Sequence, residues 1–564
     1  MEKYTLDRLC YLIQKQHNWN DDLFSSFEEH YADSDSAKVL DQLISDLGET
    51  GKAFLIKYGE FAKDTSGSIS EGINAELFRQ IKQLQPELKY SFDDKGNGDL
   101  FADLFKNKIR WNTTARSWYQ YDGRIWKEDA GGMYAARLAK DLADCLIRYS
   151  TTLTDERQRM GYLHHVIKLG NLRSRNAMLD DARDKYYISA DQLDTDDYLL
   201  NCQNCVLDLR TFRTMPHDPD QLLSKICNVE YIPGIRCDRW QHFIEEVLTV
   251  EPGSDQEHID KDKAVYLQKI IGYALTGDTR EETCYILYGQ TTRNGKSTLV
   301  ETISYMLGDA AGYALNMKPE TLAQKQNNDS RQASGDVARL KNCRFLNAAE
   351  PPKRMLIDVG LLKTLLGRDT ITARFLHQNE FQFVPKFKLF MNTNFLPLIT
   401  DDTLFSSGRI NVISFDRHFG PSDQDKSLKE KLRTPEALSG ILNWCLDGLR
   451  MYQREGAIPP QSVISATDEY RQSSDKVGNF IAERLEPVPG VNMAAKDVYD
   501  EYQRWCRDNG YGQENKGNFY ADLRAKGLLK QSGTVAGRTV RGVVPGYSMA
   551  SDFTPVAQFE IPFK

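Results

Sequence analysis

The sequence predicts a multidomain α/β protein built around a largely parallel sheet. The chain has 564 residues, which at about 150 residues per domain suggests three to four domains. From Thr283 onwards, short apolar runs alternate with segments of helical spacing, the pattern of an α/β domain. Hydrophobic residues make up 40% of the chain and charged residues 27%, values typical of a globular protein rather than a fibrous or disordered one.

Five regions are expected along the chain. Apolar side chains at helical spacing predict a mostly helical N-terminal region, and aromatic alternation around the hairpin signal Asp122-Gly123 predicts a small α+β domain after it. Two helices then form a collar before the α/β core. Pro459-Pro460 is the expected linker to a last small domain. The expected regions are residues 1–100, 101–235, 236–282, 283–458 and 461–564.

Charge and hydropathy exclude several classes of protein. The net charge of −8 argues against indiscriminate coating of nucleic acid, although it permits a local basic surface. No uncharged apolar run approaches the roughly 18 to 20 residues of a membrane span, and charges at Glu2, Lys3, Asp7 and Arg8 interrupt any signal-peptide core. We therefore expect a soluble protein of the cytoplasm, with no membrane partner.

The ten cysteines are too sparse for a disulfide scaffold. Cys202 and Cys205 have the spacing of a zinc half-site, and Cys227 and Cys237 would have to complete it. Those two lack the tight spacing of a second half-site. The favoured interpretation is that these thiols are small apolar residues beside a strand.

A strand, a glycine-bounded loop and a helix are predicted in succession at residues 284–307. The apolar run Cys284–Tyr288 leads into a loop that ends in Gly-Lys-Ser, and a helical pattern follows. This is the context of a P-loop, in which backbone N–H groups surround phosphates and the lysine reaches their β and γ oxygens. One extra residue in the loop departs from the commonest spacing. The residues expected to bind nucleotide are Gly289, Asn294, Gly295, Lys296, Ser297 and Thr298, with Mg²⁺ on Ser297.

Three polar residues follow in an order that suits nucleotide hydrolysis. Glu350 ends a short strand and could orient the attacking water and help to hold Mg²⁺. Asn394 ends the next apolar strand, where its amide could contact a water or the γ-phosphate. Arg409 stands at the mouth of a further strand, and its permanent charge suits a neighbouring subunit's phosphate. With Lys296, these are the predicted catalytic residues.

This ordered set resembles the superfamily 3 helicases, and among them the phage and plasmid primase-helicases related to the poxvirus primase-helicase. The resemblance covers roughly residues 105–455. The matching segments are Tyr288 to Thr298, Glu350, Leu365 to Asp369 with Ala373-Arg374, Asn394 to Pro397, Arg409 with Phe415, and upstream 201–209 and 272–278.

The resemblance implies an AAA+ motor that forms a ring, usually a hexamer, hydrolyses ATP between subunits and moves on single-stranded or forked DNA, typically 3′ to 5′. A separate primase could be a partner. Two departures qualify the likeness. Ala349 stands where many relatives have a second acid, so Mg²⁺ would rest on Ser297, Glu350 and waters. The only early Asp-x-Asp, Asp33-Ser-Asp35, lies in a polar stretch, so we expect no primase activity in this chain.

Two regions are candidates for DNA contacts. Residues 369–383 alternate around a break and are predicted to form a β-hairpin. In the helicases that the sequence resembles, such a hairpin projects into the ring channel, which makes His377, Gln378 and Asn379 candidates, with Arg374 at the base. Lys386 and Lys388 could add phosphate contacts or act as solubility devices at a strand edge.

The C-terminal region is predicted to be a winged helix, from a pattern of two helices followed by a short ribbon. Six cations and one acid, Asp522, lie between residues 516 and 544, which suits contact with DNA phosphates or simply a solvated surface. The cations are Lys516, Arg524, Lys526, Lys530, Arg538 and Arg541.

Three functions remain open from the sequence. The first is an ATP-dependent, ring-forming DNA helicase for replication of a phage, plasmid or mobile element. The second is a DNA-binding replication initiator or loader that ATP controls, without processive unwinding. The third is a P-loop ATPase in defence or signalling.

Overall fold

The computed structural model describes residues 69–308, 311–324, 335–353, 355–374, 380–509 and 511–550. The expected helices before residue 69, and Asp33-Ser-Asp35, lie outside these residues. The described chain forms two compact units, residues 69–195 with 218–224 and residues 196–217 with 225–550. Among the described residues, no helix combines the length and the apolar character needed to cross a bilayer.

The first unit contains six helices and a three-stranded antiparallel sheet of order β1-β2-β3. Asp122 caps the β2–β3 turn by accepting hydrogen bonds from the backbone N–H groups of Arg124 and Ile125, which confirms the predicted hairpin. The elements are α1 (Ile69–Leu84), α2 (Pro86–Lys89), α3 (Asp94–Phe105), β1 (Ile109–Asn112), β2 (Ser117–Tyr121), β3 (Trp126–Glu128), α4 (Met133–Ser150), α5 (Glu156–Val166) and α6 (Leu172–Asp181).

The second unit begins with a small antiparallel sheet and two helices. Leu200 and Leu207 of that sheet are buried in the second unit's core, so the compact units divide near residue 195, whereas the sequence placed a boundary at 235. The two helices expected in the collar are confirmed as α7 and α8. The elements are β4 (Leu199–Asn201), β5 (Val206–Asp208), β6 (Arg213–Met215), α7 (Asp238–Val247), β7 (Thr249–Val250), β8 (His258–Ile259) and α8 (Lys261–Tyr273).

The centre of this unit is a five-stranded, fully parallel sheet of order β10-β11-β14-β9-β15. This confirms the predicted α/β core. The elements are β9 (Cys284–Tyr288), α9 (Lys296–Leu307), β10 (Ala314–Met317), α10 (Gly335–Ala338), β11 (Phe345–Ala349), α11 (Val359–Leu366), β12 (Ile371–Ala373), β13 (Phe381–Phe383), β14 (Lys388–Thr393), α12 (Thr403–Ser406), β15 (Ile410–Ser414), α13 (Leu428–Leu432), α14 (Pro435–Glu455) and α15 (Gln461–Ser474).

Both faces of the sheet are covered, as a parallel sheet requires. Tyr285 and Leu287 of β9 pack in a core with α9, α8 and α14, whereas Ile286 packs on the opposite face with α11. Gly272 and Gly448 let α8 and α14 approach closely, since a Cβ at Gly272 would lie 2.3 Å from the backbone nitrogen of Leu449. The sheet is therefore a rigid platform for the loops at its edges.

The C-terminal module begins after α15, later than expected. Helix α15 belongs to the core because Val463 and Tyr470 are buried in it, and Tyr470 Oη donates to the carbonyl of Pro397 over 2.6 Å. The module's order is helix, strand, helix, helix, strand, strand, with sheet order β16-β18-β17. Its elements are α16 (Lys476–Arg484), β16 (Leu485–Ala494), α17 (Ala495–Asp508), α18 (Lys516–Ala525), β17 (Lys530–Val535) and β18 (Arg538–Met549).

Candidate functional site

The carboxyl ends of β9, β14 and β11 meet at one edge of the parallel sheet. In the strand register, Thr393 lies beside Tyr288, and Asn392 lies between Leu287 and Ala349. The residues that follow these strands therefore come together although they are far apart in sequence. They are the loop 289–295, Glu350 and Asn394.

The two glycines that bound the loop are required by its geometry. A Cβ at Gly289 would lie 2.0 Å from Asn294 Nδ2 and 3.0 Å from Lys296 Nζ. Gly295 has a φ of 84°, a left-handed conformation that favours glycine, and a Cβ there would lie 2.3 Å from Val247 Cγ1 of α7. Glycine is therefore required at the start of the loop by close packing and at its end by the left-handed backbone conformation.

Lys296 is the buried cation at the centre of the site. Its side chain is 3% exposed, and its Nζ donates hydrogen bonds to Asn294 Oδ1 over 2.8 Å and to Asn394 Oδ1 over 2.7 Å. Burial lowers the pKa of Lys296 to about 8, while the nearby Glu350 carboxylate acts in the opposite direction. No carboxylate of the described residues forms an ion pair with it. A buried ammonium held only by neutral amides is a strong attractor for an anion.

Ser297 and Thr298 occupy the first turn of α9, beside Lys296. Ser297 is exposed, and its Oγ accepts a hydrogen bond from Asn392 Nδ2 over 3.3 Å. Asn392 is 5% exposed and was not predicted as a site residue. Its two-residue spacing from Asn394, which places both on one face of an extended chain, is the signal that could have identified it.

Glu350 follows β11 directly, as predicted, and its side chain is exposed. Its φ of 54° is left-handed, and its backbone N–H donates to the carbonyl of Asn392 over 2.8 Å. Non-glycine residues adopt this conformation rarely, and strained residues of this kind cluster at functional sites. Glu350 is thereby anchored to the strand that carries Asn392 and Asn394.

The oxygen donors at this edge could supply some, but not all, of the ligands of a hard divalent cation. Ser297 contributes a hydroxyl and Glu350 a carboxylate, the donor types that Mg²⁺ prefers. Among the described residues, no cluster of three or more His, Cys, Asp or Glu side chains could hold a metal by itself. Mg²⁺ in nucleotide sites normally takes its remaining ligands from phosphates and waters, so the donor set fits a metal that arrives with a nucleotide.

Arg409 does not join the other three predicted catalytic residues within one chain. It precedes β15, whose first residue, Ile410, lies beside Cys284 at the amino end of β9. It forms an ion pair with Glu282. The length of β9 therefore separates Arg409 from the loop, about 16 Å for five residues at roughly 3.3 Å each.

A segment that the sequence did not single out braces the loop. The backbone N–H of Phe415 donates to Tyr288 O over 2.7 Å, and that of Phe419 donates to Arg293 O over 2.9 Å. Between them, His418 Nδ1 lies 2.8 Å from Thr292 O. A groove of about 540 Å³ opens beside this segment, lined by Tyr288, Gln290, Thr291, Leu396, Phe415, Ser462, Ala466 and Tyr470, among others.

The hairpin predicted at residues 369–383 is confirmed by the antiparallel pairing of β12 and β13. Arg374 is half-buried at the end of β12, whereas His377, Gln378 and Asn379 lie outside the described residues. The expectation that Lys388 contacts phosphate or sits at a strand edge for solubility is wrong. It is 3% exposed in the central strand β14, and its Nζ donates to the carbonyls of Thr276 and Asp278.

The six predicted cations of the C-terminal module are all exposed. The structure brings more acids to them than the sequence spacing indicated. Lys526 forms an ion pair with Asp475, the residue directly before α16. Burial and the neighbouring Glu514 raise the pKa of Asp522 to about 6. The other five cations, at Lys516, Arg524, Lys530, Arg538 and Arg541, are exposed on α18, β17 and β18.

The cysteines of the proposed zinc half-site lie in the hydrophobic core of the second unit. Cys202, Cys205 and Cys227 are buried there beside Leu207 and Val229. The interaction with Cys205 lowers the pKa of Cys202, but the interaction with Cys227 and burial outweigh it and raise that pKa well above the value of a free thiol. Cys237 is half-buried before α7.

Comparisons with known proteins agree with the resemblance seen in the sequence. The D5 N terminal like family matches residues 98–249, and a family of unknown function, DUF5906, matches residues 287–409. A protein of Acanthamoeba polyphaga mimivirus, L207/L206, named as a candidate helicase, is 30% identical over 486 residues, which are 81% of this chain and 48% of the relative. Together these matches support a relationship to the primase-helicase family.

Other relatives of this chain are more distant. The C962R protein of African swine fever virus, named as a candidate primase, is 21% identical over 374 residues, 63% of this chain and 37% of the relative. The chain thus spans about half the length, or less, of these curated relatives. The apo structure of the NrS-1 C-terminal region matches with 12% identity, 57% of this chain, 78% of that chain and a TM-score of 0.33, too low to establish a shared fold.

Proposed function

We propose that this chain is an ATP-dependent DNA helicase motor of the AAA+ type, acting in replication of a virus, phage, plasmid or mobile element. The observation that carries the proposal is the buried Lys296 ammonium, held by Asn294 and Asn394 and paired with no described carboxylate. Such an ammonium group is suited to bind the β- and γ-phosphate oxygens of a nucleotide. The family relationship supports replication as the setting.

In this proposal, each residue at the sheet edge has a defined role. Lys296 holds phosphate oxygens, and backbone N–H groups of the loop and of the start of α9 surround them. Mg²⁺, held by Ser297 and Glu350 with waters, supplies charge neutralisation for phosphoryl transfer. Glu350 orients the attacking water, and Asn394 positions Lys296 and the γ-phosphate. The groove beside Gln290 and Phe415 gives the nucleoside a place next to the loop.

The position of Arg409 supports a ring assembly. It lies at the opposite end of β9 from Lys296, so it cannot reach the nucleotide of its own chain without a large movement. A second subunit whose Arg409 end faces this loop would bring a guanidinium to the phosphates. The hexamer and the 3′ to 5′ direction derive from the family resemblance.

Single-stranded or forked DNA is the proposed substrate. The β12–β13 hairpin would present His377, Gln378 and Asn379, with Arg374 at its base. The helix-strand-helix-helix-strand-strand module has the order of a winged helix, and its exposed cations suit DNA phosphates. The absence of primase activity, a separate primase partner and a cytoplasmic location in a bacterial host remain predictions.

A second function, an ATP-controlled initiator or loader, is favoured by the C-terminal module alone. A winged helix can select a duplex site without any unwinding. A defence or signalling ATPase is the third alternative. The three functions differ in how ATP hydrolysis responds to DNA and in whether strands separate.

The deciding experiment measures ATP hydrolysis with and without single-stranded or forked DNA, and then strand separation. We expect stimulation by DNA and unwinding, both lost in Lys296→Ala. Lys429→Ala is the matched control, because Lys429 is an exposed lysine paired with Glu301. Stimulation without unwinding would favour the loader. Hydrolysis indifferent to DNA would favour the signalling ATPase.

A further inference from the structure

The first compact unit contains a stretch with cations and no acids. Between residues 157 and 179 there are five arginines or lysines and no aspartate or glutamate, in a chain that has 80 acids and 72 such cations overall. The five are Arg157, Arg159, Lys168, Arg173 and Arg175. This stretch begins at the second residue of α5, directly after Glu156, and continues through the 3-10 turn Ile167–Gly170 and most of α6.

Several of these residues share an exposed surface. Arg157, Met160 and His164 occupy positions i, i+3 and i+7 of α5, which lie on one face of a helix, and all three are exposed. The opposite face carries Tyr162 and His165, which are buried. The surface continues directly into the 3-10 turn and the start of α6. We call it the α5–α6 surface; its members are Arg157, Met160, His164, Ile167, Lys168, Leu172 and Arg173.

The cations of the first unit fall into two groups, those that form an ion pair with a described carboxylate and those that form none. In the first group, Arg110 pairs with Asp220 over 2.6 Å and Lys127 with Asp122 over 3.1 Å. By contrast, Arg157, Lys168 and Arg173 form no ion pair with any carboxylate of the described residues. Arg175 is engaged structurally, because it donates to the carbonyls of Leu169 and Gly170 over 2.8 Å and 2.6 Å.

Large apolar side chains alternate with these cations. Met160, Ile167 and Leu172 are 59%, 56% and 66% exposed. A duplex presents mainly phosphates and covered bases, whereas a single strand also presents the faces of unstacked bases. A surface that combines unpaired cations with exposed apolar side chains therefore matches a single strand better than a duplex.

We propose that the α5–α6 surface binds single-stranded nucleic acid, through its phosphates and unstacked bases. The inference builds on the proposed function, since a motor that separates strands must hold a single strand near its path. It assigns a binding role to the first unit, in the segment matched by the D5 N terminal like family. An acidic protein is the competing occupant, and the experiment separates the two.

The test uses the full chain and a fluorescein-labelled 30-nucleotide oligothymidine, with affinity read by fluorescence anisotropy without nucleotide over a salt series. The variant is Arg157→Gln/Lys168→Gln/Arg173→Gln. We expect its affinity to fall about tenfold or more, and the slope of log affinity against log salt to decrease by about 2, since each phosphate contact contributes about 0.7 on a single strand. ATP hydrolysis without DNA should match the parent protein.

The matched control removes three cations that have acidic partners in the same unit, the exposed Arg79 and Lys127 and the half-buried Arg183, as Arg79→Gln/Lys127→Gln/Arg183→Gln. It should bind the oligonucleotide like the parent. Thermal unfolding midpoints of both variants establish that each is folded. A further variant, Ile167→Ser/Leu172→Ser, should weaken binding of the oligonucleotide more than binding of a 30-base-pair duplex.

Four results would overturn the proposal: no binding by the parent protein, parental affinity in the first variant, equal losses in both triple variants, or equal displacement of the oligonucleotide by polyglutamate of the same charge. The helicase proposal is judged separately, by DNA-stimulated hydrolysis and unwinding. If the parent protein unwinds DNA and the first variant still binds the oligonucleotide with parental affinity, the helicase proposal stands and only the proposed role of the α5–α6 surface is rejected.

Discussion

Lys296 Nζ donates a hydrogen bond to Asn394 Oδ1 over 2.7 Å, although 98 residues separate the two in the sequence. The contact exists because β9 and β14 are parallel neighbours, so that the residues after each strand meet at one edge of the sheet. Asn394 thereby holds the buried ammonium toward the end of its own strand. The pair links the residue expected to bind phosphate with the residue expected to detect it.

Asn394→Ala should separate binding from hydrolysis. The substitution removes one of the two amide oxygens that hold Lys296 but leaves the loop and Asn294 in place. We expect ATP to bind within a few-fold of the parent affinity, while kcat falls about 100-fold, the usual effect of losing one positioned polar group. Nucleotide binding by fluorescence and steady-state hydrolysis measure the two quantities.

A second variant, Asn394→Asp, tests whether a carboxylate beside Lys296 prevents nucleotide binding, and Asn443→Ala is the control. An aspartate would form an ion pair with Lys296 and compete with phosphate, so this variant should lose binding as well as turnover. Asn443 is half-buried, and its Nδ2 donates to backbone carbonyls of Ile232 and Ile235, remote from the loop. Unchanged kcat in Asn394→Ala would remove Asn394 from the mechanism.

ATP affinity should decrease above pH 8. Burial lowers the pKa of Lys296 to about 8, and phosphate binding should raise it again because the ammonium gains an anionic partner. Below this pKa, Lys296 is protonated in the free protein, so its titration does not change the affinity for ATP. As the pH rises through it, the free protein loses the proton, so log Kd should rise by about one for each pH unit until the pKa of the bound state is reached. Binding titrations between pH 7 and 9.5 measure this slope.

Lys296→Arg is the control for the pH dependence. Arginine keeps its charge over this range, so any residual binding should be independent of pH between 7 and 9.5. Proton uptake on binding, measured by calorimetry in buffers of different ionisation enthalpy, gives the same answer independently. A slope that persists in Lys296→Arg would assign the titration to another group.

The β12–β13 hairpin should be needed for unwinding but not for ATP turnover. Its strands pair in register from Ile371 with Phe383 to Ala373 with Phe381. His377→Ala/Gln378→Ala should abolish DNA-stimulated unwinding and retain basal hydrolysis. Gln382→Ala, on the exposed side of β13, is the control. Unwinding at the parent rate in the double variant would exclude the hairpin as the DNA contact.

The site was predictable from the sequence wherever a local pattern marks the end of a strand. Apolar runs that end in Gly289, Glu350 and Asn394 placed all three at strand ends, and parallel topology then brought them together. Asn392 was missed because it lies inside a strand, although its two-residue spacing from Asn394 is a signal. The brace at Phe415 to Phe419 has no such signal, because it acts through backbone hydrogen bonds that residues of many types can form.

Lys388 shows why the location of a charged side chain, on the surface or in the core, was hard to predict. A lysine in an apolar strand is normally taken as an edge residue, but here the carbonyls of Thr276 and Asp278 and the ring of Tyr273 surround the ammonium. Burial lowers its pKa well below the ordinary value. Those partners come from the segment after α8, whose approach to β14 has no local sequence signal. The acids near Lys526 were missed for the same reason.

Glu350→Gln should trap ATP without hydrolysing it. The amide keeps the shape of the side chain and the left-handed backbone but cannot act as a base or attract the water proton. We expect kcat to fall by about 100-fold to 10,000-fold, the usual range for a lost general base, with ATP affinity maintained. Single-turnover hydrolysis and nucleotide retention after gel filtration measure the effect. Glu320→Gln, at an exposed glutamate of a 3-10 turn, is the control, and a parental rate in Glu350→Gln would exclude Glu350 as the catalytic carboxylate.

Arg409 should act on the nucleotide of a neighbouring subunit, because β9 separates it from Lys296 in its own chain. Lys296→Ala and Arg409→Ala should each be inactive, the latter by about 1,000-fold or more. An equal mixture of the two should recover about a quarter of parental hydrolysis in a closed ring, since that share of interfaces joins an intact Lys296 to an intact Arg409. A mixture of Lys296→Ala with the double variant Lys296→Ala/Arg409→Ala should recover nothing. If co-elution of tagged subunits shows mixed assemblies and the first mixture still gives no activity, Arg409 does not act across the interface.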